Sequence, residues 1–145
     1  MKAPRRLLPA LALAAVAALP LVAERVRTGG ETCAFDGVAV HAAYRARVMG
    51  ADGVARSFCG VRCAEAWLAR EGGAPARVFV TDCASGREVD AEGATYLRSV
   101  ATWQDGAPDT VRVFAQREDA ERHARAYGGV VLRGEERPFR VAARD

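Results

Sequence analysis

The sequence predicts an α+β fold built from two tandem ββαβ units that follow an N-terminal export segment. Three observations indicate this fold: segments of alternating apolar residues, two helix-forming segments that each end at a Gly-Gly pair, and the recurrence of this order in both halves of the chain. Alternation is typical of a half-buried strand, because successive side chains point to opposite faces of a sheet. We expect the first unit at residues 31–83 and the second at residues 84–135.

Residues 1–23 have the features of a secretory signal. Lys2, Arg5 and Arg6 form a positive start, residues 7–23 carry no charge, and a small residue ends the apolar run. This run is also just long enough to cross a bilayer, which takes about 17–25 residues. The sequence therefore predicts a periplasmic or other extracytoplasmic protein, with a membrane anchor through residues 7–23 as the alternative to cleavage.

The formal net charge of +3 arises from the export segment, whose three basic residues have no acidic counterpart. The rest of the chain is formally neutral, so no basic face for nucleic acid is expected. The sequence has no glycine-rich phosphate loop, no Gly-x-Ser-x-Gly elbow and no carboxylate pair that stands out as acid and base. We therefore expect a binding protein rather than an enzyme.

The first unit reads strand, strand, helix, strand. Its predicted strands cover residues 38–48, 54–58 and 77–81, and its predicted helix covers residues 64–70. Asp52-Gly53 indicates a hairpin turn between the first two strands, because glycine accepts the positive φ that such turns need. Gly72-Gly73 marks the end of the helix, where glycine is the usual terminating residue.

The second unit repeats this order. Its predicted strands cover residues 88–91, 94–100, 111–114 and 130–132, with a polar loop at 105–109 and a helix at 117–127. When the chain is aligned with itself so that the two helices coincide, identical residues fall on one another. They pair Arg56, Phe58, Ala64, Glu65, Gly72 and Gly73 with Arg112, Phe114, Ala120, Glu121, Gly128 and Gly129. Recurrence of this kind indicates a tandem duplication.

The strongest candidate site is Cys33 together with the closely spaced pair Cys59-x-x-x-Cys63 further along the chain. Cys59 and Cys63 lie where the second strand meets the helix, and thiols at i and i+4 of a helix start can face one ion. The helix N-terminus favours the thiolate, which is the form that binds metal. Cys33 precedes the hairpin that we expect to pack beside this turn, so three thiolates can surround a soft ion, copper(I) first of all.

The same alignment of the two halves places Cys59 on Ala115 and Cys63 on Asp119. The second copy thus keeps the scaffold without the thiols, which indicates that the fold does not require them and that they form a site added to one copy.

Zinc is the second candidate metal, and it requires a fourth ligand. Cys83, Asp36 and His41 are the candidates for this position. Cys83 follows the third strand in a turn, where it is an auxiliary ligand or a free thiol. His41 falls on the polar side of the alternating pattern, so a solvent-facing role is the simpler interpretation.

Four cysteines outside the cytoplasm can instead form disulfides. A bond from Cys33 to Cys59 or Cys63 is easier than one between Cys59 and Cys63 across a single helical turn. This alternative predicts a disulfide-stabilised interaction domain without metal. Because Cys-x-x-x-Cys is not the Cys-x-x-Cys spacing of thiol oxidoreductases, a redox enzyme is disfavoured.

The segment Cys33…Cys59-Gly-Val-Arg-Cys63 resembles the TRASH/YHS type of metal-binding module. The downstream sequence resembles the NosL family over residues 31–140. The matching pieces are Val80-Thr81-Asp82, Ser85-Gly86, Val89-Asp90-Ala91, Tyr96-Leu97-Arg98-Ser99, the helix from Asp119 to Tyr127, and Gly128-Gly129-Val130-Val131-Leu132.

NosL proteins are exported copper(I)-binding accessory proteins, linked to the maturation of nitrous oxide reductase and built from two similar ββαβ units. The resemblance therefore implies this fold, copper(I) as the bound ion, and delivery to a recipient metalloenzyme or assembly protein. The family's Cys-Gly-Met near the start stands here as Asp36-Gly37-Val38. We accordingly expect the metal at Cys33, Cys59 and Cys63, with Cys83 as the auxiliary ligand.

Overall fold

Two antiparallel sheets, each packed against one helix, make up the described part of the chain, which comprises residues 30–71, 75, 77–101 and 110–140 of a computed structural model. The elements are β1 (Ala46–Met49), β2 (Ala55–Phe58), α1 (Val61–Glu71), β3 (Arg77–Thr81), β4 (Glu88–Asp90), β5 (Thr95–Ser99), β6 (Val111–Phe114), α2 (Arg117–Tyr127) and β7 (Gly129–Val131). Short 3-10 turns occur at Ala42–Tyr44 and Gly134–Glu136.

Three sequence predictions fall outside the described residues. They are the export segment at 1–23, the helix end at Gly72-Gly73 and the polar loop at 105–109. Among the residues that are described, no helix combines the length and apolarity needed to cross a membrane.

Three strands have the same order in both sheets, which confirms the predicted α+β fold of two ββαβ units. The first sheet has the order β2-β1-β3-β4 and the second has the order β6-β5-β7. In both, the first strand of the unit lies in the middle, between the second and the third. The pair β6 and α2 repeats β2 and α1 with the same element lengths and the same short connection between strand and helix.

The duplication also includes the loop that precedes each hairpin. The offset, which is the number of positions between equivalent residues of the two copies, is smaller in this loop than in the helices. The backbone hydrogen bonds from Cys33 N–H to the Val38 carbonyl (2.7 Å) and from Asp82 N–H to the Arg87 carbonyl (2.8 Å) are equivalent. The offset increases within the hairpin, because Ala46 pairs with Phe58 in the first unit and Thr95 with Phe114 in the second. The connection between β5 and β6 is therefore longer than that between β1 and β2.

The strand predicted over residues 88–91 exists as β4, but it belongs to the first sheet, where it pairs with β3. A tight turn causes this pairing. Gly86, at φ +70°, donates its N–H to the Asp82 carbonyl at 2.8 Å and folds the chain straight back onto β3. The sequence interpretation assigned this strand to the second unit because it follows the boundary at residue 83.

The strand predicted over residues 38–48 is shorter than its alternating pattern indicates. Only Ala46–Met49 forms a strand, while Ala39 makes an isolated bridge with Thr32 and Ala42–Tyr44 forms a 3-10 turn. His41 caps this turn, since its Nδ1 accepts a hydrogen bond from Ala43 N–H at 3.3 Å. Local side-chain bonds of this kind compete with a sheet ladder.

The larger of the two hydrophobic clusters formed by the described residues has members in both sheets and supports the junction of β2 and α1. Its fully buried side chains include Phe58 at the end of β2 and Tyr96 in β5. The Phe58 ring packs against Trp67 of α1, with 5.5 Å between the ring centroids. Because Phe58 is anchored, the next residue, Cys59, is held at a fixed position beside the start of α1.

Candidate metal centre

The loop that carries Cys33 and Asp36 is a tight turn closed by its own backbone. Gly37 N–H donates to the Cys33 carbonyl at 2.9 Å, and Gly37 takes the positive φ of +76° that glycine accepts most easily. Asp36 Oδ1 accepts the N–H of Val38 at 3.1 Å. These bonds place Cys33 and Asp36 in a fixed relative position.

The same loop is attached to the end of β2. Ala34 N–H donates to the carbonyl of Ser57 at 2.9 Å, shortly before Cys59 in the chain. Cys59 follows β2 directly, and Cys63 lies in the first turn of α1. The two sulfurs are 3.3 Å apart.

Four donor atoms converge between the loop and the junction of β2 with α1. The sulfurs of Cys33, Cys59 and Cys63 and a carboxylate oxygen of Asp36 all lie within 4.8 Å of one another. Asp36 Oδ2 is 3.3 Å from Cys63 Sγ and 3.7 Å from Cys59 Sγ. Ligands about 2.0–2.3 Å from a tetrahedral ion are roughly 3.3–3.8 Å from one another, so these spacings suit a single soft metal ion.

Burial divides the site into a closed and an open side. Cys33 and Cys59 are buried at 3% and 2% exposure, whereas Cys63 is half-buried and Asp36 is exposed. An ion held here would be shielded by protein behind the first two sulfurs and reachable from the side of Asp36.

Without a metal, burial keeps the thiols of Cys59 and Cys63 protonated. It raises the pKa of Cys59 to about 11 and raises the pKa of Cys63 still further. The expectation that the thiolate is favoured at this helix start is not met in the metal-free protein, because desolvation is the largest cause of the raised pKa of both thiols. The pKa of Asp36 is lowered, mainly by the hydrogen bond from Val38 N–H and then by the Cys33 thiol. A metal ion must displace the thiol protons as it binds.

Comparison with known proteins gives the family. The family model NosL matches residues 26–139, which is most of the chain. The chain belongs to the NosL family. A solved structure with a similar fold is that of the copper chaperone NosL from Shewanella denitrificans, with a TM-score of 0.63 and 19% sequence identity over 76% of this chain and 91% of that chain. No curated protein sequence matches.

In this NosL chain Cys83 does not join the other three cysteines. Its side chain is half-buried against Leu97, Phe114 and Ala120. The duplication gives the reason. Cys83 N–H donates to the carbonyl of Val113 at 2.8 Å, just as Ala34 N–H donates to that of Ser57, so Cys83 is the counterpart of Ala34 and not of Cys33.

Asp82 is the counterpart of Cys33, and it performs a structural task in the second unit. Asp82 Oδ1 accepts the N–H of Ala115 at 3.1 Å, and Ala115 occupies the position of Cys59. A carboxylate bonded to the backbone thus stands at the position of Cys33, and the methyl group of Ala115 stands at the position of the Cys59 side chain. This exchange explains how the NosL scaffold keeps the same turn without thiols.

All four cysteines of the chain are free thiols in the structure. His41, the third candidate for a fourth ligand, is exposed and engaged in capping Ala42–Tyr44. The sequence offers Asp36, Cys83 and His41 as alternatives for the fourth ligand. Only the folded loop distinguishes Asp36 from the other two. Its sequence signal is the Asp-Gly-Val turn, which recurs at Asp52-Gly53-Val54, at the opposite end of β2 from Cys59.

Proposed function

We propose that this NosL protein binds copper(I) through the thiolates of Cys33, Cys59 and Cys63 and delivers it to another protein, without catalysing a reaction of its own. The convergence of three sulfurs in one small volume carries the proposal. Thiolates are soft ligands and select soft ions such as copper(I). The description of a structural neighbour as a copper chaperone supports the choice of metal.

The difference in burial across the site supports delivery rather than permanent storage. A structural metal site is closed on all sides. Here Cys63 is half-buried and Asp36 is exposed. Ligands of a recipient metalloenzyme or assembly protein could therefore approach the ion from this side, while Cys33 and Cys59 still hold it.

The decisive experiment is a copper(I) titration of the full chain, purified under reducing and oxygen-free conditions. We expect one equivalent to bind, with thiolate-to-copper charge-transfer absorption, and to be retained against a copper(I) chelator. Failure to retain copper(I) by protein whose four thiols are all free would contradict the proposal. A low thiol count without bound metal would favour the disulfide-stabilised interaction domain instead.

We further propose that the protein acts in the periplasm or another extracytoplasmic compartment, because residues 1–23 have the composition of an export signal. N-terminal sequencing of the protein from fractionated cells should find it outside the cytoplasm and beginning near Glu24. Recovery from the membrane fraction with Met1 retained would indicate an anchor through residues 7–23. Recovery from the cytoplasm would refute export.

A further inference from the structure

We propose that Asp36 supplies a fourth, oxygen ligand that allows the site to hold a divalent ion such as zinc(II), and that this residue sets the preference between divalent ions and copper(I). The inference rests on the proposed metal site at Cys33, Cys59 and Cys63. It adds an assignment for the one donor in the cluster that is not a thiol.

The two oxygens of Asp36 have different partners. Oδ1 accepts the N–H of Val38 at 3.1 Å and stabilises the turn. Oδ2 faces the cysteines, at 3.3 Å from Cys63 Sγ and 3.7 Å from Cys59 Sγ. The turn is therefore stabilised through one oxygen, and the other is left directed at the sulfurs.

The second Asp-Gly-Val turn of the chain shows what this motif does away from a metal site. Asp52 Oδ1 accepts the N–H of Val54 at 3.0 Å, and Gly53 has a φ of +75°. The other oxygen of Asp52 pairs with Arg56 at 2.8 Å. The turn thus fixes one carboxylate oxygen in both places, and the surroundings decide the partner of the second.

The duplicated loop gives independent support for the direction of the Asp36 side chain. When the two loops are aligned on their equivalent backbone hydrogen bonds, Cys33 falls on Asp82 and Asp36 falls on Ser85. Ser85 Oγ donates to Asp82 Oδ2 at 2.5 Å, and a carboxylate oxygen of Asp36 lies within 4.8 Å of Cys33 Sγ. In both units, therefore, the fourth residue of the loop directs its oxygen at the first. The fold itself aims the Asp36 oxygen into the cysteine cluster.

The donor set distinguishes the two kinds of ion. Zinc(II) is bound in tetrahedral geometry by four ligands, among which cysteine sulfur and aspartate oxygen are both usual. Copper(I) selects soft sulfur ligands, and a carboxylate, which suits harder ions, adds little to its affinity. Loss of the Asp36 oxygen should consequently weaken the binding of a divalent ion much more than that of copper(I).

The test compares the reduced full chain with its Asp36→Ala, Asp36→Asn and Asp52→Ala variants. Cobalt(II) reports four-coordinate binding by its visible absorption, and zinc(II) and copper(I) affinities are measured against chelators. We expect Asp36→Ala to lower zinc(II) and cobalt(II) affinity by at least about tenfold, a loss seen even when an outer-shell partner of a ligand is removed. Its copper(I) affinity should stay close to that of the wild type.

Two variants separate ligation from folding of the loop. Asp36→Asn retains an acceptor for Val38 N–H but removes the carboxylate charge, so it should also lose divalent affinity while its unfolding temperature stays near that of the wild type. Asp52→Ala removes the same turn bond at the matched site and should bind both kinds of ion like the wild type.

Other results would overturn the inference. Equal loss of copper(I) and divalent ions in Asp36→Ala would show that the residue only holds the loop. Wild-type affinity for zinc(II) in both Asp36 variants would exclude it as a ligand. A wild-type protein that binds copper(I) but neither zinc(II) nor cobalt(II) would refute the inference and leave the proposed function intact.

Asp36-dependent cobalt(II) binding without copper(I) binding would support the inference and refute the proposed function.

Discussion

Replacement of Cys59 or Cys63 with serine abolishes copper(I) binding, whereas the same replacement at Cys83 leaves it unchanged: this is the largest functional effect that we expect. Each of the first two variants removes one of three sulfurs that converge on a common point. A hydroxyl does not replace a thiolate for a soft ion. Cys83 packs against Leu97 and Phe114 outside this group, so its sulfur is not needed.

The measurement is the charge-transfer absorption on addition of one equivalent of copper(I), together with retention of the ion against a chelator. Cys63→Ser is the variant less expected to disturb folding, because Cys63 is half-buried and the hydroxyl of the introduced serine remains near solvent. Cys59 is 2% exposed, so thermal unfolding must show that Cys59→Ser is still folded. Undiminished copper(I) binding in both variants would remove the proposed site, and loss of binding in Cys83→Ser would show that the auxiliary ligand predicted from sequence is real.

The largest effect on stability is expected from Asp82→Ala, which should lower the free energy of unfolding by about 3 kcal/mol, since hydrogen bonds to a charged group contribute about 1.5–3 kcal/mol. Asp82 is 3% exposed. Its carboxylate accepts the N–H groups of Ala84 and Ser85, each at 3.2 Å, and that of Ala115 at 3.1 Å. Alanine would leave these donors without their acceptor and would release the turn before α2 from the end of β3.

Thermal and urea unfolding measure this loss, which corresponds to a decrease in Tm of about 10 °C for a unit of this size. Asp52→Ala is the matched control. It removes a turn-forming aspartate whose ion pair with Arg56 is exposed, and exposed pairs contribute about 0–1 kcal/mol. If Asp82→Ala were no less stable than Asp52→Ala, the link between β3 and the start of α2 would not matter for folding.

Acid should remove the contribution of the Asp82 carboxylate to the free energy of unfolding. Burial by itself would raise the pKa of its carboxyl, but the hydrogen bonds from Ser85, Ala115 and Ala84 outweigh burial and hold this pKa below its usual value. The stabilisation is therefore complete above the unfolded pKa of about 3.9 and is lost as the pH falls through the lower folded pKa. Below about pH 4 the difference in stability between wild type and Asp82→Ala should shrink.

The local pattern of apolar residues was sufficient to predict the bounds of two strands and of one helix. The strands at Arg77–Thr81 and Val111–Phe114 and the helix at Arg117–Tyr127 have the predicted bounds. The alignment of the two halves correctly equated β2 with β6 and α1 with α2. These segments combine apolar periodicity with clear ends, and periodicity of this kind is the main sequence signal of secondary structure.

Pattern failed where short-range hydrogen bonds or the choice of sheet decided the outcome. The alternation over residues 38–48 did not anticipate the turn at Ala42–Tyr44, which His41 caps through its own side chain. The strand at Glu88–Asp90 was foreseen, but its pairing with β3 depends on the closed turn between Asp82 and Arg87. Neither turn changes the apolar periodicity on which strand prediction relies.

The sequence by itself determined the α+β class, the duplication, and the three cysteines, two of which it placed where a strand meets the start of a helix. Only the tertiary structure decided the partners of these cysteines. Cys83 and Cys33 both lie in loops before a hairpin, but Cys83 is one residue out of register with Cys33, and in a tight turn one residue redirects the side chain. Asp36 enters the cluster because a backbone turn fixes one of its oxygens and the end of β2 holds that turn beside Cys59. Long-range contacts of this kind cannot be predicted from the spacing of residues along the chain.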